Sequence, residues 1–337
     1  MTPGRIAAAA VLAVLLLQPL IPLGGYRQYV LHVTLQIFIW SFIGGAWSLM
    51  GRFGLVSLGH GAFLGIGAYA TVLLWNFYGV TPWLGALAGM AAASLAAVVV
   101  GLPCFRFRVV GHYFALVTLA VGEVVRLLII AERDWTDGSL GLTLRSAGGD
   151  SLWAIQFGNK QVFYYGSLGV FLIGLWIWHR VDKSMTRSAL EAIGEDETAA
   201  ASVGIHVTRF KLGITVLSAA LTALGGSLYA QAIAYVNPET LSGIGVSLKI
   251  VFAVVLGGMY SLLGPLVGTA LTTALAEGLR ILFGLKLLGM ADTIYGLLLI
   301  VFIIFLPEGI YGSIRAALQR RAARAASGAS VTAKAPA

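Results

Sequence analysis

Long apolar stretches, separated by short polar segments, follow one another along the whole chain. A transmembrane helix needs about 20 mostly apolar residues, and ten stretches reach or approach that length. By residue number they are 6–23, 29–49, 60–78, 83–103, 109–131, 162–178, 212–235, 247–259, 264–285 and 290–306. The first follows an arginine, as a signal peptide would, but it lacks a small-residue cleavage site and leads straight into the second. The pattern predicts an all-α membrane protein with about ten transmembrane helices.

The composition supports this fold class. Of the 337 residues, 58% are apolar and 11% are charged, whereas a soluble globular domain has about 25% charged residues. An ordinary water-soluble fold is therefore excluded. The single cysteine rules out an intrachain disulfide.

The net charge of +8 predicts topology rather than a nucleic-acid partner. Fourteen Lys and Arg residues fall in the segments that share a side with the N-terminus, and five fall on the other side. Positive charge accumulates in cytoplasmic loops, so we expect both termini to be cytoplasmic. Residues 1–311 would form the transmembrane domain in the lipid bilayer, with a cytoplasmic loop at 179–211 and an outer loop at 132–161. The tail 312–337 is basic and lacks apolar periodicity, so it is expected to be partly disordered.

Glycine is unusually frequent in the segment 51–69. Within a membrane, small residues let neighbouring helices approach closely. A helix broken at Gly59 is the other interpretation, because backbone amides can be exposed at membrane depth where they line a cavity. Ser57 and His60 would then either cap the helix and bond between helices or line a pathway.

Two predicted helices carry an acid and a base three residues apart, Glu123 with Arg126 and Glu277 with Arg280. Each pair shares a helix face and can neutralise itself. Ionisable groups inside a membrane are functional candidates by default, but self-pairing also explains them as structural.

The 179–211 loop is predicted to contain a helix over 188–203 that ends at Gly204. It carries an acidic cluster, which consists of Glu191, Glu195, Asp196 and Glu197. A short amphipathic helix of this kind suits docking to a soluble partner. A solvated connecting helix is the alternative.

No catalytic or metal-binding pattern occurs in the sequence. It lacks the phosphate-binding G-x-x-x-x-G-K-[ST] motif, its five histidines are isolated, and it has no nucleophile elbow. We therefore predict that the chain is not an enzyme and holds neither a metal nor a cofactor.

Five segments resemble the permease subunits of branched-chain amino-acid ABC importers of the LivM type, and they occur in the family's order. They are SLGHGAFLGIGAY (57–69), YFALVTLAVGE (113–123), EDETAAASVGI (195–205), LGGMYSLLGPLVG (256–268) and FLPEG (305–309). The resemblance implies a permease of the bacterial inner membrane that pairs with a second, LivH-type permease. It also implies two cytoplasmic ATPase subunits, which would use ATP and Mg²⁺, and a periplasmic or lipid-anchored solute-binding protein.

The resemblance makes the 179–211 loop the site of a coupling helix. The family's alanine pair and following glycine are matched by Ala199, Ala200 and Gly204, while Thr198 stands where importers of this type have an acidic residue. Candidate coupling residues are these three matches together with Glu191, Glu195, Asp196 and Glu197. Candidate residues of the substrate pathway are Ser57, His60, Tyr69, Glu123 and Arg126.

The implied cargo is leucine, isoleucine and valine or a related small polar solute, since similar permeases serve urea, amides and aromatic acids. A second hypothesis is a self-sufficient secondary transporter or channel for a small amide or amino acid such as urea, in which Glu123 or Glu277 would titrate. A membrane scaffold without transport activity is the third.

Overall fold

The computed structural model describes residues 13–21, 24–283, 293–294, 296–297, 301 and 309–310. This part of the chain is mostly helical, and eight of its helices are long and apolar enough to cross a membrane. They correspond to eight of the ten predicted spans. The other two, 6–23 and 290–306, lie partly or largely outside the described residues, as does the tail 312–337, so the total of ten stays a prediction.

The helices and strands follow in one order along the chain. They are α1 (Arg27–Gly51), α2 (His60–Tyr78), α3 (Pro82–Arg106), α4 (Gly111–Ala131), α5 (Arg133–Thr136), β1 (Leu142–Thr143), α6 (Lys160–Asp182), α7 (Met185–Glu195), α8 (Glu197–Ser202), α9 (Val207–Ile233), β2 (Tyr235–Val236), α10 (Pro238–Leu241), α11 (Ile244–Gly257) and α12 (Gly264–Phe283). Successive long helices are antiparallel, including those joined by the longer 132–161 and 179–211 segments. The bundle therefore has a 132–161 end and a 179–211 end, named for the segments that they carry.

Helices α1, α2 and α9 form the centre of the bundle. Helix α9 packs against α3, α2 and α1, while α1 also packs against α6 and α12. Trp47, Ile43 and Leu64 are fully buried between these helices, and Val254 of α11 is fully buried against α1. By contrast, α4 is apolar but largely exposed, which is typical of a surface that faces lipid or another subunit.

Glycines allow the central helices to touch backbone to backbone. A Cβ atom placed on Gly67 of α2 would lie 2.6 Å from the carbonyl carbon of Ala223 on α9, and one on Gly89 of α3 would lie 2.9 Å from the Cα of Gly67. The close helix packing predicted for the segment 51–69 is confirmed.

The 132–161 end is covered by an ordered segment. Strand β1 pairs with β2 in antiparallel register, Leu142 opposite Val236. The Trp75 indole donates a hydrogen bond to the carbonyl of Arg145 (2.8 Å), and the Thr81 hydroxyl donates to the carbonyl of Trp153 (2.5 Å). These contacts tie the segment to the ends of α2 and α3.

Candidate functional site

Non-helical backbone enters the bundle between α1 and α2. After α1 ends at Gly51, residues 52–59 turn back along its last turn, and the Trp47 indole donates a hydrogen bond to the carbonyl of Ser57 (2.8 Å). Ser57 and Gly59 are buried. Helix α2 then runs without a break from His60 to Tyr78, so the irregular backbone lies before the helix and not within it.

This segment is held against α4. The amide of Leu58 donates to the Thr118 hydroxyl (3.0 Å). A Cβ atom on Gly59 would overlap the carbonyl oxygen of Thr118 and lie 2.7 Å from its carbonyl carbon. Only glycine fits there without moving α4, which gives Gly59 a packing role.

His60 joins three helices. Its Nε2 lies 2.9 Å from the Ser218 hydroxyl of α9, which donates to the carbonyl of Ala46 on α1 (2.7 Å). Because the Ser218 hydrogen is committed to Ala46, its oxygen must accept from His60, which assigns the proton of the imidazole to Nε2. His60 is fully buried. In this conformation it connects helices and does not face an open channel.

The beginnings of α2 and α11 meet inside the bundle. The amide of Gly61 donates to the Ser247 hydroxyl in the first turn of α11 (2.9 Å). The two helices run away from this point in opposite directions, α2 toward the 132–161 end and α11 toward the 179–211 end. Their N-terminal amides and partial positive charges therefore converge at one depth, an arrangement that membrane transporters use to bind anionic groups.

The glycines repeat in the two halves of the chain. Gly79, Gly85 and Gly89 have the same spacing as Gly258, Gly264 and Gly268. The adjacent glycines 44 and 45 match the adjacent glycines 225 and 226. Glycines 59 and 61, two residues apart, match glycines 243 and 245. Since α1 and α9 run in opposite directions, the matched glycines have the arrangement of an inverted repeat, in which α2 and α11 are corresponding helices. The meeting point of α2 and α11 was not predicted, although the repeated spacing that pairs these two helices is visible in the sequence.

Three buried polar side chains, on α2, on α9 and in the turn before α11, lack hydrogen-bond partners in the described part of the chain. They are the Tyr69 hydroxyl, both amide atoms of Gln231 and the Ser242 hydroxyl. A Cβ atom on Gly65, one turn before Tyr69, would lie 3.2 Å from the Cβ of Ser242. Buried polar groups without partners are costly, so these groups are suited to bind water or a small polar solute. Gln231 and Ser242 were not predicted from the sequence.

Glu123 and Arg126 occupy a different place. The Nε of Arg126 lies 3.0 Å from both carboxylate oxygens of Glu123, as predicted for a self-paired couple, and its guanidinium also pairs with Glu239 of α10. This cluster is half-buried between α4 and α10, with 18% of the Arg126 side chain and 31% of the Glu123 side chain exposed. The structure therefore groups Ser57 with His60, sets Tyr69 farther along α2, and keeps the α4 pair apart from all three.

The 179–211 segment contains two helices where the sequence predicted one. Asp196 has an extended backbone, and its Oδ1 accepts hydrogen bonds from the amides of Thr198 (2.7 Å) and Ala199 (3.0 Å). It therefore ends α7 and caps α8. The Thr198 hydroxyl (2.6 Å) and these two amides hold the pKa of the Asp196 carboxyl below its usual value. Gly204, with a positive φ of 90°, follows α8.

The predicted acidic cluster does not form one surface. Glu191 pairs with Arg187 (2.7 Å), Glu197 turns inward to the buried Lys211 of α9, and Glu195 stays exposed. Leu190, Ile193 and Ala200 pack into the bundle, while Ala199 and Gly204 face outward. The segment is thus anchored on one side and open on the other.

Comparison with known proteins places this arrangement in a family. The family described as branched-chain amino acid transport system, permease component, matches residues 29–306. The high-affinity branched-chain amino acid transport permease LivM of Salmonella typhimurium is 30% identical over 299 residues, which is 82% of this chain and 68% of that protein. LivM of Escherichia coli is 30% identical over 293 residues, covering 80% and 67%.

A more distant relative transports a different solute. The guanosine ABC transporter permease NupQ of Bacillus subtilis is 29% identical over 258 residues, covering 72% of this chain and 78% of that protein. No solved structure gives a significant match. The family match spans most of the chain and includes all eight long apolar helices that the structure describes. The chain is therefore a multi-pass membrane protein that belongs to the branched-chain amino acid permease family of ABC transport systems.

Proposed function

We propose that this chain is the permease subunit of an ATP-driven importer that carries leucine, isoleucine and valine across the bacterial inner membrane. The relatives with 30% identity are LivM proteins, which favours these amino acids over the nucleoside of NupQ. A second, LivH-type permease would complete the pathway, and a periplasmic or lipid-anchored binding protein would deliver the substrate. Two cytoplasmic ATPase subunits would bind and hydrolyse ATP with Mg²⁺.

The geometry of α7 and α8 is the observation that carries this proposal. The buried pair of Glu197 and Lys211 connects α8 directly to α9, which is a central helix of the bundle. On the other side, Glu195, Thr198 and Ala199 are accessible to an ATPase subunit. A push on α7 and α8 would therefore reach α9 through a rigid contact.

The meeting point of α2 and α11 is the proposed centre of the pathway in this chain. Two helix N-termini there would favour the substrate carboxylate. Tyr69, Gln231 and Ser242 would supply hydrogen bonds to its polar groups. Ser57 and His60 would hold this region in shape, and the exposed α4 with Glu123 and Arg126 would face the second permease.

The decisive experiment reconstitutes the chain with and without its partners in vesicles and measures uptake of radiolabelled leucine. We expect uptake only with the ATPases, the second permease, the binding protein and ATP. Charge reversal by Glu195→Lys should lower uptake, whereas Glu132→Lys, which changes an exposed acid at the opposite end, should leave it unchanged. Uptake by this chain alone, driven by a pH gradient, would contradict the proposal and support the secondary transporter.

The proposed orientation is tested separately. In a cysteine-free background, Val203→Cys and Leu152→Cys place exposed thiols at opposite ends. An impermeant maleimide added to intact spheroplasts should label only the second variant. Labelling of only the first would reverse the topology.

A further inference from the structure

A groove of about 480 Å³ opens at the 179–211 end of the bundle, away from the meeting point of α2 and α11. It lies between the ends of α1 and α6, one face of α7, and the turn that joins α11 to α12. Its volume is ample for one amino acid. Among its lining residues, only Glu191 is also a candidate coupling residue.

An incompletely bonded arginine lies in its wall. The Arg52 side chain is only 5% exposed, and its guanidinium carbon is 4.1 Å from the centre of the Trp178 ring and 4.7 Å from that of Phe53. Nη1 donates to Asp182 (2.8 Å). Nε and Nη2 are buried in this conformation and have no acceptor among the described residues. These two atoms form the edge of a guanidinium that binds a carboxylate through two parallel hydrogen bonds.

The positive and negative side chains of the groove, Arg52 included, are equal in number. Arg187 bonds to both Asp182 (3.2 Å) and Glu191 (2.7 Å), so two arginines face two carboxylates. A dianion such as phosphate would leave this balance negative. A zwitterion would preserve it, because its carboxylate can pair with the unbonded edge of Arg52 when that side chain turns toward the groove, while its ammonium approaches the exposed Glu191.

The remaining walls suit a hydrocarbon side chain. Phe53, Trp178 and Leu262 line the groove beside Arg52. An aliphatic chain placed against them would remove apolar surface from water. Charge and shape together therefore select an amino acid with an apolar side chain over a simple anion.

We propose that this groove binds a free amino acid with an aliphatic side chain from the 179–211 side, with Arg52 holding its carboxylate and Glu191 its ammonium. The inference deepens the proposed function and rests on it, since the ligand would be the transported amino acid. The ligand would contact both α1 and α7. The released substrate would thus occupy a site on the helix that we assign to the ATPases.

The test measures equilibrium binding of radiolabelled L-leucine to the complete transporter in nanodiscs of zwitterionic lipid, without ATP or binding protein. Arg52→Gln should weaken binding about tenfold or more, the loss expected when hydrogen bonds to a charged group are removed. Leu262→Trp should fill the groove and weaken binding while keeping every charge. Leu263→Trp changes the next residue, which does not line the groove, and should bind leucine as the unmodified protein does. Thermal unfolding of each variant shows that it is folded.

Competition with leucine analogues shows which charged groups of the ligand the groove requires. Isoamylamine lacks the carboxylate and 4-methylvalerate lacks the ammonium, so each should compete at least about tenfold more weakly than leucine. Unchanged leucine binding by both Arg52→Gln and Leu262→Trp would overturn the proposal. Displacement of leucine from the groove by phosphatidylglycerol at trace levels would overturn it in favour of a lipid headgroup.

Uptake in the same preparation separates this inference from the proposed function. If ATP drives leucine uptake but leucine binding does not depend on Arg52 and Leu262, the groove site alone is overturned. Groove binding in a preparation that does not import leucine would overturn the proposed function alone.

Discussion

The contact between α2 and α9 can be tested by adding one methyl group to α9. Gly226 of α9 faces the backbone of Leu64 on α2, and both residues are in the centre of the bundle. Gly226→Ala would place a Cβ atom over the carbonyl oxygen of Leu64 and 2.9 Å from its carbonyl carbon. No flexible side chain can move aside there, because the obstacle is backbone.

The size of the effect follows from the geometry. Carbon atoms in contact prefer separations of about 3.5–4.0 Å, so α2 and α9 would have to separate by about 1 Å. Such overpacking costs about 1–3 kcal/mol. Gly213 provides the matched control, because it lies in the same helix and a Cβ atom there would have no described neighbour within 4 Å. Gly213→Ala should stabilise by up to about 1 kcal/mol through helix propensity.

Gly226→Ala gains the same helix propensity, so the two alanine variants should differ by the overpacking cost alone, about 1–3 kcal/mol, or about 2–6 °C in Tm at about 2 °C per kcal/mol. Heating the purified transporter and following the remaining monodisperse fraction by size-exclusion chromatography measures the difference. A Gly226→Ala variant as stable as Gly213→Ala would refute the argument that this backbone contact is tightly packed.

Three further predictions concern the polar groups. Glu197→Gln should leave the buried Lys211 without an ion-pair partner and lower leucine uptake per ATP hydrolysed severalfold. The double variant Glu197→Gln with Lys211→Met should regain thermal stability but not coupling. Unchanged coupling in the single variant would contradict the role of α8. The hydrogen bonds of Asp196 lower its pKa, so its carboxylate should stabilise α8 at neutral pH and lose this effect as the pH falls through that lowered pKa. Hydrogen exchange in α8 should become faster over the same pH range in the unmodified protein, but not in Asp196→Asn. Gln231→Leu should raise stability by about 1–3 kcal/mol by removing an unpaired buried amide and abolish uptake; a less stable variant would show that the amide is satisfied.

The long helices could be predicted because their signal is local. A span of about 20 apolar residues is visible in any window of the sequence, and eight such spans are helices in the structure. The division of the 188–203 helix was missed for a local reason too. Asp196 can either continue a helix or cap the next one, and its choice depends on hydrogen bonds to Thr198 and Ala199 that composition does not reveal.

The site depends on contacts between distant residues, which one sequence does not specify. Glu239 is 113 residues from Arg126, and Ser218 is 158 residues from His60. The pairing of Arg52 with Asp182 spans 130 residues. The repeated glycine spacing is a long-range signal that is present in the sequence, and it pairs α2 with α11.

The inverted repeat also has a historical meaning. Two halves with the same glycine spacing are expected from duplication of an ancestral segment, and the positions where the copies have diverged show what each half has since acquired. Gly59-His60-Gly61 corresponds to Gly243-Ile244-Gly245. The first copy has an imidazole bonded to Ser218, whereas the second has an alkyl side chain that cannot form such a bond. The symmetry between the two copies is therefore broken where α2 and α11 meet, and only the first copy bonds to α9 through an imidazole.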